Sequence, residues 1–448
     1  MVACADVGST FTKVAVVDLD AGEVVAAAEH PTTVDTDVLH GLDAALAAAG
    51  RARPDADLST PYVCSSAGGG LRLAVVGYEQ LVTAEAGHRV GLTAGAKVVH
   101  VAAGPLDRAG LTELRAARPD VVLLVGGTDG GDADVLRHNA TRLANARLRI
   151  PVVLAGNAEL RDEATGRLRA RGVPVVATQN VLPRIGVLNP GPARDAIREV
   201  FLRHVIGGKG LSRGPRFARL VRAATPDAVL SGVELLADEL DDDLLVVDVG
   251  GATTDVYSAL GHADVTDVAG SLRVARTVEG DLGVRWNAAA ILAAAVAERL
   301  LDPDDEARLG PAATARSATP GLLPVTDDDS VVDARLAGLA AAVAVRRHAR
   351  GELRAAESRL RRNLGEVRLV VGSGGVLRHS PRAASAVTQA VLTDHAGGWA
   401  RPRHAVSAVD TDYVLAPAGL LAREHPSAAR ALLRTHLLGR AVGASGRP

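Results

Sequence analysis

Residues 6–14 read DVGSTFTKV, and residues 248–256 read DVGGATTDV. Asp, Val, Gly, Thr and Val coincide at five of the nine aligned places. Each copy follows an apolar run, VACADV (2–7) or LLVVDVG (244–250), and leads into a second one, TKVAVVD (12–18) or DVYSAL (255–260). A single copy reads as a plain hairpin. Two copies at the same place relative to two strands read as a repeat of one supersecondary unit. Gly8 with Ser9 and Thr10, and Gly250 with Gly251, let backbone N–H groups converge on an anion. The hydroxyls of Ser9, Thr10, Thr12, Thr253 and Thr254 add donors. Asp6 and Asp248 end their strands, where carboxylates can hold a hydrated Mg²⁺. Two such turns facing each other would clamp a polyphosphate in a cleft between two similar domains. No G-x-x-x-x-G-K-[ST] pattern occurs, so this is not a P-loop protein.

The rest of the chain sets the frame for that site. At 448 residues there is room for two to four domains and a large core. A net charge of -2 gives no basic field for nucleic acid, and 2% aromatics give no platform for base stacking. No apolar run is long enough for a membrane span, and the start MVACADVG lacks the basic and apolar regions of a secretory signal. Only Cys4 and Cys64 are present, too few for a disulfide framework or a structural zinc site. The sequence reads as that of a soluble cytoplasmic protein.

Short β-rich runs alternate with Ala-rich helical patterns, which predicts an α/β fold. Further strands are expected at 23–29, 61–66, 97–102, 120–126, 150–156 and 367–373. Helices are expected at 79–94, 132–146, 158–171, 191–204, 227–240, 283–300 and 333–364. Residues 207–215 read as a surface connection, 302–332 as a long irregular segment, and GASGRP at the end as a disordered tail. The stretch 95–180 reads β-α-β-α-β-α-β, an inserted or enlarged α/β layer expected to serve partner binding.

The two hairpins resemble the two phosphate motifs of the superfamily of actin, sugar kinases and heat-shock-chaperone ATPases. LVVGSGGVLRHS (369–380) resembles its adenosine motif, TPDAVLSGVELLA (225–237) its connecting helix, and DYVLAPAGLLA (412–422) its closing helix. Within that superfamily, LLVGGTDGGD (123–132), VVLAGNAEL (152–160), VLPRIGVLNPGPARDAIREVF (181–201), VVDVGGATTDVYS (246–258) and RTVEGDLGVRWN (276–287) resemble the GlmL/MutL family. That family is encoded beside glutamate mutase, an adenosylcobalamin enzyme, and is distinct from the DNA mismatch-repair protein that shares the MutL name.

The resemblance covers about residues 2 to 425. It implies two actin-like (ribonuclease H-like) ATPase domains around a nucleotide cleft, at 1–243 and 244–411, with 412–448 packing back on the first. It implies an ATP-dependent accessory or reactivating factor for an adenosylcobalamin-dependent mutase, with glutamate (methylaspartate) mutase as the first candidate. ATP and Mg²⁺ would sit between the hairpins. Asp6 and Asp248 would hold the metal's waters, and Gly372, Ser373, Gly374 and Gly375 would meet adenine and ribose. Glu279 and Asp281, just before a helix start, would reach Mg²⁺ or ribose, unless Asp281 serves only as a helix cap. Relatives place Glu or Gln near the start of the connecting helix to position water. Here that place reads Thr225-Pro226-Asp227, which makes Asp227 the candidate.

Other features read as structural first. GGTDGG (126–131) is a strand-to-helix turn that could also take a phosphate or carboxylate. Ser65 would need a base such as His88 to act as a nucleophile. The 13 His residues show no metal-binding spacing and read mostly as surface residues, with His379 lining a helix start. The Arg-rich 345–362 stretch reads as a solvated helix, with docking of an acidic partner as the sharper alternative. The rival functions are a small-molecule kinase, an ATP-binding partner without turnover, an iron–sulfur dehydratase activator and a hydantoinase-like hydrolase. Each shares the fold, and product analysis separates them.

Overall fold

A computed structural model describes residues 1–69, 71–206, 210–261, 273–351, 362–394 and 400–441. Its strands are β1 (Val2–Val7), β2 (Phe11–Asp18), β3 (Glu23–Pro31), β4 (Tyr62–Ser65), β5 (Leu71–Gly77), β6 (Ala96–Ala103), β7 (Val121–Leu124) and β8 (Val152–Leu154). They continue with β9 (Val175–Ala177), β10 (Val221–Ala224), β11 (Leu244–Val249), β12 (Thr254–Ala259), β13 (Val274–Glu279), β14 (Leu369–Ser373) and β15 (Val406–Val409).

Three sheets result. The first runs β3-β2-β1-β4-β10 and the second β13-β12-β11-β14-β15. In both, three strands pair antiparallel and the next two join in parallel. The repeat seen in sequence is therefore a repeat of topology. The α/β class holds, with an extra α/β layer in the first half. The central strands β1 and β11 are apolar along nearly their whole length because both faces are covered. The edge strand β3 alternates instead.

The extra layer is the third sheet, β6-β5-β7-β8-β9, with every pairing parallel. It opens with β5, ahead of residue 95, and is spliced between β4 and β10. On one face, Leu111, Leu114, Leu136, Leu143 and Leu168 from three successive helices cover Val122, Leu124 and Leu154.

One core is shared between the first two sheets. It joins Cys4, Val17 and Cys64 to Val246, Tyr257 and Val371 through the connecting helix (Thr225–Leu240) and the closing helix (Leu415–Leu421). Those helices cross at two glycines. A Cβ on Gly232 would lie 2.2 Å from Leu415 O, and one on Gly419 only 1.8 Å from Ala228 O. Backbone meets backbone there, and no side chain fits between.

Several expectations need correction. Residues 302–332 are not irregular: a helix spans Pro303–Ala318, and a long helix begins at Asp327. Asp302 caps the first by accepting from Asp305 N at 2.8 Å. Buried Arg316 fixes it to Asp333 at 2.6 Å. The helix expected from 283 starts at Ala288 with Asn287 before it, so Asp281 does not cap it. The Arg-rich long helix (Asp327–Arg350) is not a solvated one: Arg346 is buried on Asp394 at 2.5 Å, and His348 is fully buried. Its expected continuation over 352–361 and the tail GASGRP lie outside the described residues. No described helix is long and apolar enough to cross a membrane.

Candidate nucleotide site

The repeated glycines close two matching turns. Gly8 N–H donates to Phe11 O at 3.1 Å, and Gly250 N–H to Thr253 O at 2.9 Å. A Cβ would lie 2.8 Å from Phe11 O in the first turn and 2.9 Å from Thr253 O in the second. The two tips meet, because the Cβ position of Gly251 is 3.9 Å from Thr10 Oγ1. Ser9 is exposed at this junction, and Gly8, Thr10, Gly250, Gly251 and Thr253 are partly so.

Thr12 and Thr254 do not join that surface. Both are fully buried. Thr12 Oγ1 bonds Thr32 Oγ1 at 3.0 Å, and Thr254 Oγ1 donates to Leu282 O at 2.7 Å. In each half the equivalent hydroxyl ties the hairpin to the chain leaving the third strand.

Asp6 and Asp248 differ in their surroundings. Asp6 is 5% exposed. Thr225 Oγ1 donates to its Oδ1 at 2.5 Å and Tyr413 Oη to its Oδ2 at 2.7 Å. Across the strand pair Asp6 faces Lys13, whose Nζ lies 3.6 Å above the Tyr413 ring. A narrow cleft here is lined by Asp6, Lys13, Arg378, Asp412 and Tyr413. Asp248 faces a second carboxylate, Asp255. Burial, then the charge of Asp255, and also those of Asp6 and Asp410, push the Asp248 carboxyl up to about 7, against the pull of Lys13. Asp255 Oδ2 accepts from Arg276 Nη2 at 2.8 Å, while its buried Oδ1 has no hydrogen-bond partner. Burial also raises the carboxyl of Asp410, opposed by bonds from Val414 and Leu415 N–H.

The turn 372–375 packs against the Asp248 strand end. Gly374 has φ +107°, and a Cβ there would lie 2.2 Å from Val249 O and 3.0 Å from Asp248 Oδ1. Ser373 is buried and pairs in register with Asp248. A Cβ on Gly372 would meet Leu377 at 2.6 Å, whereas Gly375 faces open space.

Three expected site residues are engaged by arginines. Asp227 is buried, with Arg198 Nε at 2.5 Å and Arg194 at 3.7 Å, so its carboxylate is engaged by another helix (Pro190–Val200). Thr225, two residues earlier, is the one that touches Asp6. Glu279 and Asp281 both bind Arg347 Nη1, at 2.6 and 2.9 Å.

Ser65 is buried and donates to Val7 O at 3.1 Å. Burial pushes the Cys4 thiol up to about 12 and holds that of Cys64 well above the usual range, with help from Asp6. His88 and His348 are buried, and burial holds His348 well below the usual imidazole value. His379 ends a short helix (Gly375–His379) beside Glu29 at 3.7 Å.

Lys13, Thr225, Asp255, Arg276 and Tyr413 complete the site and were not singled out in the sequence. Lys13 and Asp255 occupy the same place in the two aligned copies with opposite charge, a signal that was available. Tyr413 lies inside the closing-helix motif 412–422, but nothing in that motif signals its contact with Asp6.

A family model described as MutL protein matches residues 2–437. The protein described as Protein MutL from Clostridium tetanomorphum is 32% identical over 455 residues, spanning 97% of this chain and 98% of that protein. Among solved structures, a nucleotide-free acetone carboxylase is 16% identical, with a TM-score of 0.42 over 94% of this chain and 70% of its own. Xylulose kinase from Bifidobacterium adolescentis is 12% identical, with a TM-score of 0.32 over 97% of this chain and 93% of its own.

Proposed function

The chain belongs to the MutL protein family, and on that premise we propose that it is an ATP-dependent accessory factor that maintains or reactivates an adenosylcobalamin-dependent mutase, glutamate mutase being the first client to test. The observation that carries this reading is the pair of glycine turns meeting tip to tip, each with a carboxylate at the end of its first strand.

The residues fit Mg²⁺-ATP. Burial first, and then the nearby charges of Asp255, Asp6 and Asp410, push the Asp248 carboxyl up to about 7, and a divalent cation relieves the part that is repulsion. Among the described residues no three His, Cys, Asp or Glu side chains converge to ligate an ion directly. Retained waters, which Mg²⁺ keeps readily, would therefore mediate the contact. Asp6 and Asp248 would hold those waters. Amides of the turns at 8–10 and 250–253 would take the phosphates, and 372–375 the adenosine. Glu279 would reach the ribose after leaving Arg347. When bound, the ion neutralises phosphate charge as it develops in phosphoryl transfer.

In this reading the parts of the chain before and after about residue 243 close on the nucleotide as two bodies. The glycine crossing of the connecting and closing helices is their pivot, and the client senses that movement. The layer between β4 and β10 offers the client a surface.

A second reading, binding without fast turnover, is favoured by one observation. Asp227, the candidate for positioning water, is committed to Arg198 and Arg194. Phosphate release by wild type and Asp248→Ala decides between them. Release that Asp248→Ala lowers at least tenfold supports an ATPase, and equal release from both sinks the catalytic assignment. Cobalamin exchange by the mutase, with and without ATP and this protein, tests the client. Exchange indifferent to ATP removes the reactivation reading.

A further inference from the structure

Asp6 is closed off on both of its oxygens. Thr225 covers Oδ1 at 2.5 Å and Tyr413 covers Oδ2 at 2.7 Å, with Cys64 Sγ 3.6 Å from Oδ1. At 5% exposure the carboxylate has no free face for a hydrated ion. One of the two hydroxyls must move before any hydrated ion reaches it.

The two are held in different ways. Thr225 lies in the first turn of a 16-residue helix. Tyr413 lies in the short link between β15 and the closing helix, with φ 55°. Left-handed backbone at a bulky aromatic residue is strained, and such strain persists only where the surroundings enforce it.

Those surroundings are on either side of it. Asp410 accepts from Val414 N at 2.7 Å and Leu415 N at 3.2 Å, which fixes the start of the closing helix. Asp412 takes His436 at 2.6 Å and Arg440 at 2.5 Å. The Tyr413 side chain then holds Asp6 with its hydroxyl and Lys13 with its ring. The bond to Asp6 is the one tie of Tyr413 that a ligand reaching Asp6 Oδ2 has to break.

We propose that Tyr413 is a latch: it blocks Asp6 in the ligand-free protein, and its release when Mg²⁺-nucleotide arrives signals occupancy to the closing helix and frees Lys13 to face phosphate. The latch rests on the nucleotide reading given above. Tyr413 is a positioning residue here, acting through Asp6 and the closing helix.

Tyr413→Phe keeps the ring over Lys13 and removes only the hydroxyl. Amide exchange in ligand-free protein is read first. Exchange over 413–421 should be several-fold faster in Tyr413→Phe than in wild type, and identical rates overturn the latch. Equilibrium dialysis with Mg²⁺-ATP is read next. The variant should bind roughly two- to tenfold tighter, because one net hydrogen bond no longer has to break. A residue that merely supports the fold would weaken binding on removal, so weaker binding overturns the proposal. Finally, Mg²⁺-ATP should speed exchange over 413–421 in wild type toward the variant's rate and leave the variant unchanged. A ligand effect of equal size in both proteins defeats the coupling. If wild type binds no nucleotide, the functional reading and the occupancy signal fall together. The ligand-free comparison still reports whether the tie exists.

Discussion

The two hairpins have the same turn, the same register and the same strand neighbours, yet their acids live differently. Asp6 faces a cation, Lys13, and is satisfied by two hydroxyls. Asp248 faces an anion, Asp255, and is pushed up to about 7 by burial and that neighbour. Duplicated topology has been given opposite electrostatics. One acid is stable and covered without ligand. The other is uncomfortable until something positive arrives.

The sharpest break between the halves is predicted at the residue after the fourth strand. Gly374→Ala puts a Cβ against Val249 O at φ +107° and should cost about 3 kcal/mol or more. Ser66→Ala, just after β4 in the first half, should stay within about 0.5 kcal/mol. Denaturant midpoints check both, and similar losses would erase the asymmetry.

Next come the acids themselves. Asp6→Asn breaks the pairing with Thr225 and Tyr413 and should destabilise the ligand-free protein by about 1–3 kcal/mol. Asp248→Asn should do the reverse. A carboxyl whose folded value is raised from 3.8 to about 7 binds its proton more tightly folded than unfolded. Stability from that proton is full below about pH 4 and is lost as pH rises through 7. The variant should therefore exceed wild type by about 1 kcal/mol or more at pH 8 and lose the advantage near pH 4. Thermal melts at the two pH values give the sign, and a variant less stable at pH 8 contradicts the comparison.

A smaller shift is expected from Asp255→Asn. With the neighbouring charge gone, the inflection in stability near pH 7 should move about one unit lower. No movement would leave burial, with the charges of Asp6 and Asp410, responsible. The smallest effects sharpen the likeness instead. Thr12→Val and Thr254→Val should each cost about 1 kcal/mol, for the loss of matching hydrogen bonds. Neither should alter Mg²⁺-ATP affinity more than about threefold, whereas a large loss would return those hydroxyls to the phosphates.

What could be read from sequence follows from how local each feature is. The hairpins, β1, β2, β11 and β12 carry their signals within about a dozen residues, and the family resemblance built on them holds. The strands β5, β10, β13 and β15 were missed. β10 and β15 have four residues each, too few to show a pattern, and β10 pairs with β4, far away along the chain. Asp227 is met by Arg194 and Arg198 from another helix, a contact no local pattern encodes. Tyr413 meets Asp6 across nearly the whole chain. Arg316 and Asp333 likewise turned an Asp- and Pro-rich stretch into a helix through a buried ion pair.

The third sheet also sets a schedule for making the protein. β4 and β10 pair side by side, but the whole parallel layer is translated between them. As the chain leaves the ribosome, β4 shows a bare edge until the layer has been completed and β10 follows. Substitutions that slow the layer's own folding would prolong that exposure. Their first symptom would be aggregation during synthesis, with the finished protein as stable as before.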